Sequence, residues 1–277
     1  VRLDGMDYQR YFEIAIAIFN ENVGSDFTVD NVVLDYLTSD NQKQVFERFC
    51  TEYFPYRLKD RYEEEGYFDF YATAFVSKEP GGKDGILLHT DIPYTPAELI
   101  HVLLHELAHI FCLHNELDGA SFYDTYCEGY ADTSFEDSQI NAGYAVWREC
   151  IAEIIARELD DSWGIPPLGA KKQMLAQLRQ ELAPIGGKLT MSQILVEVIT
   201  SDEVERNRDW ETAKKHIEKL RLFDIPTELP MIELVFKQLR GPFIQIDIDF
   251  ISKVGSLYLE TISLSLEKIL AERLRGN

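Results

Sequence analysis

Apolar positions set the first elements. From Tyr8 to Asn20, Phe12, Ala15, Ile16 and Phe19 recur at helical spacing and predict an amphipathic helix. A second helix is predicted over Gln42 to Phe54. Between Gly66 and Ser77 the period shortens and the residues turn aromatic and β-branched (Tyr67, Phe68, Phe70, Tyr71, Phe75, Val76), which predicts a strand. Pro80-Gly81-Gly82 marks a turn, Gly85 to Thr90 reads as a second short strand, and the two strands suit a hairpin.

Thr95-Pro96-Ala97-Glu98 is a helix start in which Thr95 caps, proline takes the first helical position and Glu98 closes a capping box. The helix runs to about His114 and is apolar on most of its circumference, so it is expected to be buried on several sides. Asn115 to Gly143, rich in Asp, Gly, Ser and Tyr, reads as a long irregular segment with a short helix around Tyr123 to Phe135. A helix follows from about Tyr144 to Leu159, broken by Trp163-Gly164-Ile165-Pro166-Pro167. Further helices are expected over Ser192 to Ile199, Trp210 to Leu222, Met231 to Leu239 and Val254 to Arg275. No internal repeat or low-complexity tract interrupts the pattern.

The expected class is therefore α+β, with a small sheet packed on the helix that starts at Pro96 and a mainly helical C-terminal part. The domain division expected is 1–165 and 166–277.

Composition narrows the functional classes. With 277 residues and 45% apolar content the chain can bury a sizeable core. The net charge of −21 repels phosphate backbones and anionic membrane surfaces, so neither nucleic acid nor membrane is expected as a partner. No run reaches the ~18 to 20 consecutive apolar residues that cross a bilayer, and Val1 to Tyr11 lacks a basic-then-apolar leader pattern, so a cytoplasmic location is expected. Cys50, Cys112, Cys127 and Cys150 match no metal knuckle and read as free buried thiols.

Histidine is where the chemistry concentrates. Five of the six (His89, His101, His105, His109, His114) fall within 26 residues, which signals a metal site. His105 and His109, four apart on one helix, project from one face and can place two imidazole nitrogens ~2.0 to 2.1 Å from one zinc. Glu106 then stands beside the metal, where a general base takes a proton from a water whose pKa zinc has lowered to about 7. His101, one turn earlier on the same face, suits a buried hydrogen-bonded role, because three consecutive ligands on one helix would crowd the ion.

Catalytic zinc needs a third protein ligand and an open position. Glu149 lies on an uninterrupted helix whose small neighbours Ala145, Ala152 and Ala156 permit close approach, and Glu153 one turn on is placed to orient a ligating histidine. Glu128 comes nineteen positions after His109, among poor helix formers. Glu149 is favoured on helix quality, with Glu128 the alternative.

His105-Glu106-Leu107-Ala108-His109 followed by a glutamate on a second helix resembles the gluzincin metallopeptidases, the group that contains thermolysin and the zinc aminopeptidases. The likeness covers about Ile86 to Leu159. In that group the downstream glutamate is the third ligand, and an acidic residue four positions later supports a histidine, a spacing matched by Glu149 and Glu153. Trp147 to Glu153 is similar to the Trp-x-x-Glu-x-x-Ala-Glu run of the aminopeptidases with one residue fewer after the tryptophan. Glu128 matches their eighteen-residue gap, and Glu128-Gly129-Tyr130-Ala131-Asp132 is similar to the same run. The resemblance implies a zincin-like core and zinc-dependent hydrolysis of a peptide or protein substrate. It further implies a substrate-pairing edge strand at Ile86 to Thr90, for which the residues equally suit an ordinary core strand, and an oxyanion donor among Tyr123, Tyr126, Tyr130, Tyr144 and His114, where tyrosines at such spacing more often serve packing.

Two other readings stay open. One is a regulatory or binding protein with a structural or vestigial zinc site, which a fourth ligand from His101, Cys112 or Cys127 would mark. The other is a site-specific processing peptidase whose cleft is controlled by the C-terminal helices.

Overall fold

A computed structural model describes residues 6–60, 62–117, 119, 122, 125, 126, 135–159, 198, 209–220, 227–239 and 246–275. Its elements are α1 (Tyr8–Val23), β1 (Val32–Leu37), α2 (Gln42–Tyr53), a 3₁₀ turn (Pro55–Lys59), β2 (Ala72–Phe75), β3 (Asp84–His89) and α3 (Pro96–His114). Then come α4 (Phe135–Leu159), α5 (Trp210–Leu220), α6 (Glu228–Leu239) and α7 (Ile248–Arg275). The class is mixed α+β, helices with one three-stranded sheet. By compactness the chain divides into Val1–Asn115 with Ile155–Trp163, and Glu116–Ile154 with Gly164–Asn277.

In the first unit the sheet order is β1-β3-β2, with β1 parallel and β2 antiparallel to β3. Of the two readings of Ile86 to Thr90, the order makes it the central strand and not the edge that the resemblance implies. All six residues of β3 are buried, and the strand is hydrogen-bonded on both sides. Strand β1, formed by the β-branched and apolar run Val32-Val33-Leu34-Asp35-Tyr36-Leu37, occupies one flank. The other flank is β2, much shorter than the Gly66 to Ser77 expectation. Tyr67, Phe68 and Phe70 instead pack as loop residues against the aromatic cluster under α2.

Strand alternation gives each sheet face its own layer. Leu37, Phe75 and Leu87 join Phe46, Phe49 and Phe54 on the α2 face. Gly85 lies on this face because a Cβ there would stand 2.6 Å from the Phe49 ring and 2.8 Å from Phe54. On the opposite face Tyr36 meets Tyr8 of α1, ring centroids 5.7 Å apart, and the small Ala72 and Ala74 of β2 accommodate α3.

Helix α3 starts as the sequence requires. Thr95 accepts from the Glu98 N–H, and the Glu98 carboxylate accepts from the Thr95 N–H at 2.7 Å, a complete capping box. By length and composition α3 could cross a membrane, and 56% of its apolar window is buried inside the fold. Packing against α1 and the sheet accounts for that apolarity. Helix α1 runs three residues past the expected Asn20 and stops at Gly24, whose left-handed backbone (φ 76°) lets its N–H reach the Asn20 carbonyl.

In the second unit α6 packs on α7 and on α5. Trp147 of α4 meets Phe250 edge-on, centroids 5.4 Å apart. Helix α4 begins at Phe135, so the expected irregular segment is helical from there on. Gly143 is no loop residue but a crossing point, where a Cβ would lie 2.0 Å from the Ile251 carbonyl oxygen of α7. Helices α5, α6 and α7 answer the expectations over Trp210 to Leu222, Met231 to Leu239 and Val254 to Arg275, the latter two starting three and six residues earlier. The expected helix at Ser192 to Ile199, apart from the buried helical Val198, and the break at Trp163 to Pro167 lie outside the described residues.

Candidate metal centre

His105 and His109 stand one turn apart on α3, their ring planes at 82° and their Nε2 atoms 3.1 Å from each other. Two ring nitrogens aimed at one another either share a proton or converge on a common cation. Ligands ~2.0 to 2.1 Å from one tetrahedral ion stand ~3.3 Å apart, close to the separation seen. Helix α4 brings in a carboxylate. Ligand atoms of His105, His109 and Glu149 all lie within 4.8 Å of one another, and the three can hold a metal ion.

Burial separates the roles available to these groups. Glu106 is 7% exposed and His109 5%, while His105 and Glu149 are half-buried. Glu153, one turn beyond Glu149, is also buried. A buried carboxylate is costly unless a cation or hydrogen bonds compensate it, and Glu106 and Glu153 each lie within one helical turn in sequence of a candidate ligand.

The other histidines divide. His89 closes β3, its Nδ1 held 2.6 Å from Asp91 Oδ1 and its ring edge-on to Phe70. By strand alternation it shares the α2 face with Leu87, away from α3. Asp91 also accepts from the Ser39 N–H (2.8 Å) and hydroxyl (2.7 Å), and these bonds hold its carboxyl well below the usual range. His114 Nε2 lies 2.8 Å from Asp84 Oδ2, so this oxyanion candidate is engaged at the start of β3. His101 sits half-buried on α3.

Of the tyrosine candidates, Tyr144 is buried and stacked on Phe122 (centroids 5.9 Å), and Tyr126 is 39% exposed against the same ring. Tyr123, Tyr130, Cys127 and the alternative ligand Glu128 lie outside the described residues. Cys50, Cys112 and Cys150 are buried thiols outside any disulfide, as expected, and burial pushes the Cys50 thiol up to about 12.

One neighbour of the site escaped the sequence reading. Tyr94 is buried and donates its hydroxyl to the Tyr71 carbonyl at 2.9 Å. Burial raises its pKa, assisted by Tyr71, Tyr8 and the Glu106 carboxylate, which therefore lies within electrostatic reach. The available signal was its position just before the Thr95 cap, with Leu99 four residues into the helix, the pattern of a hydrophobic staple.

Comparisons with protein-family models, curated proteins and solved structures return no match to this chain. The gluzincin resemblance therefore rests on the motif residues alone.

Proposed function

We propose that the chain is a zinc-dependent metallopeptidase of gluzincin type with a zincin-like core, its metal held by His105, His109 and Glu149. The observation that carries the reading is the convergence of those three ligand atoms within 4.8 Å, with the buried Glu106 next in sequence to His105. Zinc in such a site supplies Lewis acidity for the scissile carbonyl and acidifies water. Glu106 is the general base: its buried carboxylate takes the proton from the attacking water and returns it to the leaving amine. Glu153 orients a ligating imidazole from behind. An extended peptide pairs with the flank of the sheet at β2, which recognises backbone more than side chains.

The test is the metal content of purified protein by mass spectrometry. About one zinc per chain is expected in the wild type. It should be lost in His105→Ala and Glu149→Ala and kept in Glu128→Ala. Loss in Glu128→Ala with retention in Glu149→Ala transfers the third-ligand role. A wild type that takes up no zinc even when it is supplied sinks the reading.

A further inference from the structure

Charge is not spread evenly along the chain. Lys83 and Arg148 bracket a run from Asp84 to Trp147 that holds eleven Asp and Glu and no Lys or Arg. That run carries about half of the net charge of −21, and it includes β3, α3 and the first half of α4, with His105, Glu106 and His109 inside it. A divalent ion on the histidines offsets only a small part of this charge. The field is felt at Tyr94, just ahead of α3. Burial raises its pKa, and Tyr71, Tyr8, Glu106 and Asp91 all push it the same way. Under α2, by contrast, Arg57 and Lys78 act against burial on Tyr56.

Helix α3 also has one open face. From Leu99 to Ile110 the residues that are not buried are His101, Val102 and His105. Their spacing of three to four residues places them on one side of the helix. The stripe continues inward to the buried His109 and outward to the exposed Glu98, seven residues before His105. Solvent therefore reaches the candidate ligands along this stripe, with Glu98 at its mouth.

Glu98 is held in place there. Its carboxylate accepts from the Thr95 N–H at 2.7 Å, the cap bond that starts the helix. A carboxylate has about four lone-pair positions, so this bond leaves acceptor capacity on an exposed side chain. Seven helical residues put Glu98 ~10 Å along the axis from His105, a distance that an extended peptide covers in about three residues. A fixed anion at the entrance, within a field of the same sign, selects and concentrates cations.

We propose that Glu98 is a specificity-determining residue: its carboxylate receives the cationic side chain of a substrate Lys or Arg, within about three residues of the scissile bond, as the peptide passes the open face of α3. The inference rests on the peptidase reading above and names its substrate class, basic peptides.

The experiment compares kcat and KM on hexapeptides of one sequence with both termini blocked, carrying Lys, Gln or Glu at each position in turn. Zinc-loaded wild type, Glu98→Gln and Glu65→Gln are assayed. Glutamine still closes a capping box, so Glu98→Gln removes the charge and keeps the helix start. Glu65 is exposed on the loop whose Tyr67 and Phe68 pack under α2, and serves as the charge-matched control. At ~0.01 M ionic strength, where charges act over ~30 Å, wild type should prefer Lys over Gln by ~10-fold or more in kcat/KM at one or more positions, with Glu the poorest. The preference should shrink at ~0.1 M, where the range falls to ~10 Å. Glu98→Gln should lower it by ~3- to 5-fold, the scale of an exposed ion pair, through KM and not kcat. Glu65→Gln should keep it. Equal rates for Lys, Gln and Glu at every position overturn the proposal, and so does a Glu98→Gln enzyme with the wild-type ratio. Calorimetric binding of the Lys and Gln peptides to the zinc-loaded Glu106→Gln variant, with and without Glu98→Gln, reads the subsite without turnover, and equal affinities also overturn it. A zinc-loaded wild type that cuts none of the peptides overturns the peptidase reading instead, while the binding measurement still decides on Glu98.

Discussion

His114 Nε2 lies 2.8 Å from Asp84 Oδ2, so the last turn of the helix that carries the candidate ligands is tied to the first residue of the central strand. The same carboxylate accepts from the Ser77 N–H at 2.8 Å, and the Asp84 N–H donates to the Asn31 carbonyl at 2.9 Å. One residue thereby joins α3, the β2–β3 connection and the approach to β1.

This contact predicts a pH dependence. The hydrogen bond to Asp84 raises the His114 pKa, against a smaller opposing effect of burial, with Asp84 and Asp26 adding charge attraction. A raised folded-state pKa contributes stability that is fully present below the unfolded value of ~6.5 and fades as pH climbs through the folded value. The His114 side chain is 47% exposed, so solvent screening limits the contribution to ~0.5 to 1 kcal/mol. Urea unfolding of wild type and His114→Gln should differ by that amount at acid pH and converge in mild alkali. A gap that is constant across pH would mean that the ion pair contributes nothing.

Glu106→Gln should separate metal binding from chemistry. The amide keeps the size of the side chain but cannot accept the proton, so zinc content stays near the wild-type level while hydrolysis falls ~10² to 10⁴-fold. Rates and metal content measured on one preparation check both halves. Retained activity would remove Glu106 from the mechanism.

Thr95→Ala should cost about 1 kcal/mol, because it leaves the Glu98 N–H without its cap acceptor and opens half of the capping box. Thermal denaturation should show a fall of a few degrees. An unchanged midpoint would show that packing alone starts α3.

Local signals made α3 legible: cap, proline and apolar period all act within a few residues of the bond they control, and the spacing of His105, Glu106 and His109 needs no tertiary information. The sheet order was not legible. β1 pairs in parallel with β3 across a connection of more than forty residues, and no local pattern encodes that partner, so the residues of β3 suit an edge and a core strand equally well. The hold on Tyr94 was not legible either, because its hydroxyl bonds the Tyr71 carbonyl, a contact between two loops more than twenty residues apart. The start of α4 was hidden by Gly143, which argues against helix by ~1 kcal/mol unless a second backbone needs the space.

That need gives the last prediction. A Cβ on Gly143 would lie 2.0 Å from the Ile251 oxygen and 2.9 Å from the Gly255 nitrogen, and a Cβ on Gly255 would lie 1.7 Å from the Gln139 oxygen. These obstacles are backbone atoms with no rotamer to swing aside, so Gly143→Ala must push α4 and α7 apart by an ångström or more, given contact distances of ~3.5 to 4.0 Å. Overpacking of this kind costs ~1 to 3 kcal/mol or more. Gly81→Ala is the matched control. Its φ of 73° is left-handed but nothing lies within 4 Å of the added methyl, so only backbone strain of ~1 kcal/mol is expected. Since Glu149 lies six residues beyond Gly143 on the same helix, zinc retention should fall in Gly143→Ala and stay intact in Gly81→Ala. Chemical denaturation and metal content of the two variants test this together. Equal stability of Gly143→Ala and wild type would mean that the two helices do not cross at this glycine pair.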